Sequence, residues 1–86
     1  MINYVDEEVG VITVYNAKTH TIKPVVMQWN GKRYTIERVA FYHPVRKGRV
    51  LHHVFSVTDG AMDYRLDFNT ENQQWHLMEV SDGLAG

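Results

Sequence analysis

The chain contains no cysteine. That removes disulfide staples, thiolate-bound zinc, iron–sulfur clusters and thiol catalysis, and it fits a reducing compartment. Serine is almost as scarce. Ser56 and Ser81 are the only two, and neither sits in a nucleophile-elbow pattern. The six glycines stand apart from one another, so there is no phosphate-cradling run. No apolar stretch approaches the roughly 20 residues a membrane-spanning helix needs. The opening MINYVDEEV is acidic where a secretory leader is basic. No segment holds a helical period. These absences predict a non-catalytic, cytoplasmic domain with no cofactor, no metal and no membrane partner.

With 86 residues, 44% hydrophobic and 22% charged, the chain makes one ordinary globular domain. Its stability is expected on the order of 5 kcal/mol. The net charge of −1 hides a strong division. Asp6, Glu7 and Glu8 make residues 1–17 acidic, a net of −3. Lys18, Lys23, Lys32, Arg33, Arg38, Arg46, Lys47 and Arg49, against Glu37 alone, give residues 18–53 a net of +7. Arg65 against Asp59, Asp63, Asp67, Glu71, Glu79 and Asp82 gives residues 54–86 a net of −5. Such blocks predict either a basic face or acidic and basic strands that neutralise one another.

The pattern is that of strands and tight turns. Val9–Asn16 is rich in β-branched residues. After a connector, Ile22–Trp29 follows, with Pro24 placed near its start or on an edge. Asn30-Gly31 is the strongest local signal, a two-residue hairpin turn with positive φ at both positions. Lys32–His43 returns. Ile36 and Val39 fall out of phase, which predicts a bulge near Glu37-Arg38 that turns Val39 and Phe41 inward and Tyr42 outward. Pro44–Gly48 reads as a basic loop, Arg49–Thr58 as a strand, and Asp59-Gly60 as a turn. Met62, Tyr64, Leu66 and Phe68 alternate cleanly with Asp63, Arg65 and Asp67. Gln73–Val80 closes the sheet with a phase change near Met78, and residues 81–86 read as a flexible tail. The expected fold is all-β: a five- to six-stranded antiparallel meander curled into a small open barrel or roll, its core roughly residues 9–80.

Of the groups that carry chemistry, His52 and His53 are adjacent and so point to opposite faces of a strand. His43 and His52 meet across the hairpin, but their spacing matches no established metal-ligand pattern. Asp63 and Asp67 stand about 13 Å apart along one strand face, too far for a glycosidase pair. The candidate binding surface is therefore Lys32, Arg33, Arg38, Tyr42, His43, Arg46, Lys47 and Arg49. Two readings follow. The basic middle meets an acidic segment of a protein partner or of a second copy, making a protein-interaction or self-assembly module, possible as a homodimer. The alternative is a weakly sequence-selective nucleic-acid-binding module on the 32–49 strip, with Tyr42 stacking a base.

The run Trp29-Asn30-Gly31-Lys32-Arg33-Tyr34-Thr35-Ile36, followed by Val39, fits W-x-G-[KR]-x-Y-x-[IV]-x-x-V. The chain closes with Trp75, Leu77, Val80 and Asp82 in the spacing W-x-L-x-x-V-x-D. Together these resemble a family of small bacterial β-rich domains of unknown function. The resemblance covers roughly residues 22–82 and implies a bacterial origin and a shared fold. It rests on a turn flanked by core aromatics, and it implies no activity.

Overall fold

Strand-forming sequence between well-marked turns yields seven strands and no helix in the computed structural model, which describes residues 1–82. They are β1 (Ile2–Asn16), β2 (Thr21–Trp29), β3 (Lys32–Thr35), β4 (Arg38–Lys47), β5 (Val50–Thr58), β6 (Asp63–Asn69) and β7 (Trp75–Ser81). All pairings are antiparallel, in the order β3-β2-β1-β7-β6-β5-β4. No helix among the described residues is long and apolar enough to cross a membrane.

Two long strands give the sheet its curl. The first half of β1 pairs with β7, from Ile2↔Ser81 to Val9↔Trp75, and its second half pairs with β2, from Gly10↔Gln28 to Asn16↔Thr21. The other long strand is the run from Lys32 to Lys47. Its Lys32–His43 part was expected as one strand with a bulge, and it divides instead. β3 pairs with β2, β4 pairs with β5, and Ile36 and Glu37 lie between. The Ile36 amide donates to the Val25 carbonyl at 2.9 Å, and the Glu37 amide donates to the Thr58 carbonyl at 2.8 Å. Two residues thus join the two edges of the sheet, which curls toward a barrel without closing. This division accounts for seven strands where five or six were expected.

Irregularities place the inward phase. Between β1 and β2 the register slips beside Ile12, leaving Val25 as the extra residue next to the buried Pro24. A proline lacks the amide that a regular ladder position would use, so a bulge suits it. In β7 the slip opposite Arg65 and Leu66 leaves Met78 as the extra residue, where the phase change was expected. In β4 the slip falls at Ala40. Because that is later than expected, Val39 packs on the core, Phe41 turns outward and Tyr42 turns toward Phe55. The inward Phe41 and outward Tyr42 anticipated from sequence are therefore exchanged.

Asn30 and Gly31 carry φ of 53° and 74°, as the two-residue hairpin requires. The expected loop at Pro44–Gly48 is not one. β4 continues through Lys47, and the turn is Gly48-Arg49, with positive φ at Gly48 only. A glycine at the first central position alone is the mark of a type II′ turn, which is tight enough to leave Pro44–Lys47 in the strand. At the chain's start, β1 begins well before Val9, with Asp6 at φ 54° marking its slip against β7. Of the expected tail, Ser81 closes β7 and Asp82 pairs with the N-terminal amine at 2.8 Å; residues 83–86 lie outside those described.

The concave face forms the core: Val9, Met27, Phe55, Val57, Tyr64, Leu66, Trp75, Leu77 and Val80. Trp75 sits between Phe55 and Phe68, at ring-centroid distances of 5.5 and 4.8 Å. Tyr64 reaches from this core to the β5–β6 turn, where its hydroxyl donates to Asp59 at 2.7 Å. Burial, followed by this bond and the Asp59 charge, pushes the Tyr64 phenol well above its ordinary range.

Candidate functional site

The eight residues of the proposed basic strip lie along the divided strand and its turn. Lys32 and Arg33 open β3, opposite Trp29 and Gln28. Arg38 opens β4, Tyr42 and His43 occupy its middle, Arg46 and Lys47 end it, and Arg49 stands in the turn. Since β3 and β4 run consecutively, the cations at 32–33 and at 46–49 occupy opposite ends of one bent strand. They form a line rather than a single patch. Arg38, Arg46 and Arg49 make no ion pair among the described residues.

Lys47 differs. On the convex face its Nζ reaches across β5 to Asp67 Oδ2 at 2.8 Å, and His52 Nδ1 donates to Asp67 Oδ1 at 2.6 Å. The Asp67 side chain is only 7% exposed, although its strand partners on this face include Val54 and His76. Burial by itself would raise the Asp67 carboxyl. The hydrogen bonds from Lys47 and His52, with their charge, outweigh burial and hold it below the ordinary carboxylate value. One carboxylate thus ties strands β4, β5 and β6 together. Nearby, Arg65 and Glu79 pair at 3.4 Å. Acidic and basic strands therefore interleave here, which is the neutralising arrangement.

His43 shares this face but joins neither group. Its ring tilts against Phe41 at 5.3 Å, and its Nδ1 is buried without a hydrogen-bond partner. An unpaired buried nitrogen costs about 1 kcal/mol or more. His43→Leu is therefore expected to stabilise the domain by about 1 kcal/mol, seen as a higher midpoint in thermal unfolding. A lower midpoint would mean that the nitrogen has a partner such as bound water. Among the described residues, no three His, Asp or Glu side chains converge in a metal-holding group.

His53 turns to the other face, as its adjacency to His52 requires. Its Nδ1 lies 2.6 Å from the Tyr42 hydroxyl, and its ring stacks parallel to Phe68 at 6.3 Å. Burial holds its imidazole below the ordinary value. Beside this pair, the start of β2 and the middle of β4 splay apart with no pairing between them. The seam opens a cavity of about 570 Å³, walled by Ile22, Val39, Phe55 and Phe68 and bordered by His20 and Lys23. Sequence reasoning missed both this cavity and the grip on Asp67. Each depends on which strands lie side by side, and neither leaves a local signal beyond the His52-His53 adjacency.

The family-like motifs have structural duties. Trp29 Nε1 donates to Glu7 at 3.0 Å, and Tyr34 lies between Trp29 and Tyr64 at 6.1 and 5.9 Å. Trp75, Leu77 and Val80 are core. No family model matches the chain, and neither a curated protein nor a solved structure matches it.

Proposed function

We propose that the chain is a non-catalytic protein-interaction module that pairs an extended, acidic segment of a partner along the free edge of β4. The observation that carries this reading is the composition of that edge. β4 is a sheet edge with no acidic residue of its own, it carries Arg38 and Arg46 without ion pairs, and it bears Phe41 at 59% and Tyr42 at 43% exposure. An edge strand offers unpaired amides and carbonyls, and the flanking cations select the sign of what is added.

A different partner fits better than a second copy. Two antiparallel β4 strands would set Arg38 of one copy near Arg46 and Lys47 of the other, and like charges facing across strands destabilise a pair. The bulge at Ala40 and the missing donor at Pro44 also interrupt a full-length self-pair. A partner segment needs only Arg38–His43. The nucleic-acid alternative has less support, because its cations are strung along a bent strand and Lys47 is held by Asp67.

The test is a titration with a labelled peptide of alternating valine and glutamate, beside its valine–lysine counterpart and a single-stranded oligonucleotide. Binding of the acidic peptide alone is expected, with amide NMR shifts centred on β4 and a loss of about tenfold in affinity for Arg38→Glu/Arg46→Glu. Shifts away from β4, or equal binding of both peptides, would defeat the reading. Binding of the oligonucleotide instead, falling steeply with salt, would establish the alternative.

A further inference from the structure

We infer that the seam between β2 and β4 is a binding site for a small carboxylate with a flat or branched apolar body, such as an aromatic acid. The seam runs along the one unpaired edge of β4, so this site shares Val39 and Tyr42 with the edge proposed above for the partner strand and extends beyond it to Ile22, His53 and Phe68. The argument starts from size. A cavity of about 570 Å³ falls within the range of small-molecule pockets, roughly 300–1,000 Å³. It is a seam open to solvent rather than an enclosed hole, and its walls fix what it accepts. Ile22 comes from β2, Val39 from β4, Phe55 from β5 and Phe68 from β6, and all four line the cavity. The lining continues into Trp75, which Phe55 and Phe68 both touch. Water gains little on such a surface, whereas an apolar ring recovers the contacts that the splayed strands forgo.

The polar groups in the lining are few, and two of them are paired. Tyr42 and His53 share one hydrogen bond at 2.6 Å. A neutral imidazole and a phenol hold two donors between them, and the shared bond uses one. If the phenol donates, the His53 Nε2–H remains free; if His53 Nδ1–H donates, the phenol O–H remains free. Either tautomer leaves one donor beside the cavity, and neither ring has another hydrogen bond among the described residues. Burial favours the neutral imidazole, in keeping with this count. The lining supplies charge: it includes Lys23 and His20, and no acidic side chain among the described residues. A ligand with an apolar body and an anionic head satisfies all three features, whereas an amine would meet Lys23 with no counter-charge.

Naphthoate is the test ligand, with naphthylmethylamine as the cationic counterpart, followed by amide NMR on the whole chain. Saturable shifts are expected at residues 20–23, 39–42 and 53–55 with naphthoate. The amine is expected to bind about tenfold or more weakly. Lys23→Glu, at an exposed position, is expected to weaken naphthoate by a similar factor. Ile22→Trp fills the seam and should abolish binding while leaving the dispersed spectrum of a folded domain. If that variant does not fold, the Lys23→Glu and amine arms decide the matter. Shifts that do not saturate, shifts centred outside the seam, or equal binding of acid and amine would overturn the assignment.

Discussion

Replacing Leu66 by alanine is expected to cost about 3–4 kcal/mol, most of the stability of the domain. Leu66 is fully buried at the centre of β6, opposite Phe55 on one side and Leu77 on the other. Both partners are themselves core residues, 3% and 0% exposed, so the hole has no flexible neighbour to fill it. The cost is the lost transfer energy plus the unrelieved cavity. Urea unfolding followed by tryptophan fluorescence reads it directly, because Trp75 lies in the same core. The midpoint should fall sharply with an unchanged slope. A loss below about 1 kcal/mol would mean that the inner face is not packed as described.

The second large effect lies on the opposite face of the same strand. Asp67→Ala is expected to cost about 2–3 kcal/mol near neutral pH. It strips the acceptor from both Lys47 and His52, and His52, only 12% exposed, has little water to turn to. Lys47→Ala should cost less, since its side chain is 51% exposed and the amine is hydrated when released. The pH dependence has a definite sign. The folded Asp67 carboxyl lies below its ordinary value of 3.8, so its contribution is complete above about pH 5. It shrinks as pH falls through 3.8 and on through the lower folded value, because the folded state then has to take up a proton that it resists. Asp59 behaves in the same sense. Burial raises its carboxyl, but the amides of Met62 and Ala61 and the Tyr64 hydroxyl outweigh that and lower it. The gap between wild type and Asp67→Ala, measured by urea unfolding from neutral to acid pH, should therefore narrow toward acid. A gap that widened there would refute an ionised Asp67 held by hydrogen bonds.

Why one part of the molecule is readable from sequence and another is not follows from the range of the forces involved. Asn30-Gly31 was legible because positive φ is a property of those two residues. The inward set of β6 was legible because strand alternation has a period of two. Met78 was legible as a break in that period. Phe41 and Tyr42 were exchanged because either Arg38 or Ala40 would absorb the extra residue equally well locally. Pairing with β5 decides the matter, through Val39↔Val57 and Phe41↔Ser56. The PVRKG segment misled for a similar reason: proline and glycine both signal loops, yet here one sits on an edge strand and the other makes the turn. Of the candidate surface, the residues were identifiable but their grouping was not. Lys47 is tied to Asp67, twenty positions away, and that bond depends on β6 lying two strands from β4.

The pairing of β1 with β7 sets an order of events during folding. β4, β5, β6 and β7 are successive hairpins and pair with near neighbours in the chain. The first half of β1 finds its partner only at the far end, with Ile2 against Ser81. On the ribosome, that half of β1 therefore waits, unpaired, until β7 has been made. Closing so distant a pair carries the loop entropy of the entire domain and places refolding among the slower small proteins, on the order of milliseconds to seconds. The acidic run Asp6-Glu7-Glu8 falls in this waiting segment, where like charges keep an idle strand from pairing with another copy of itself.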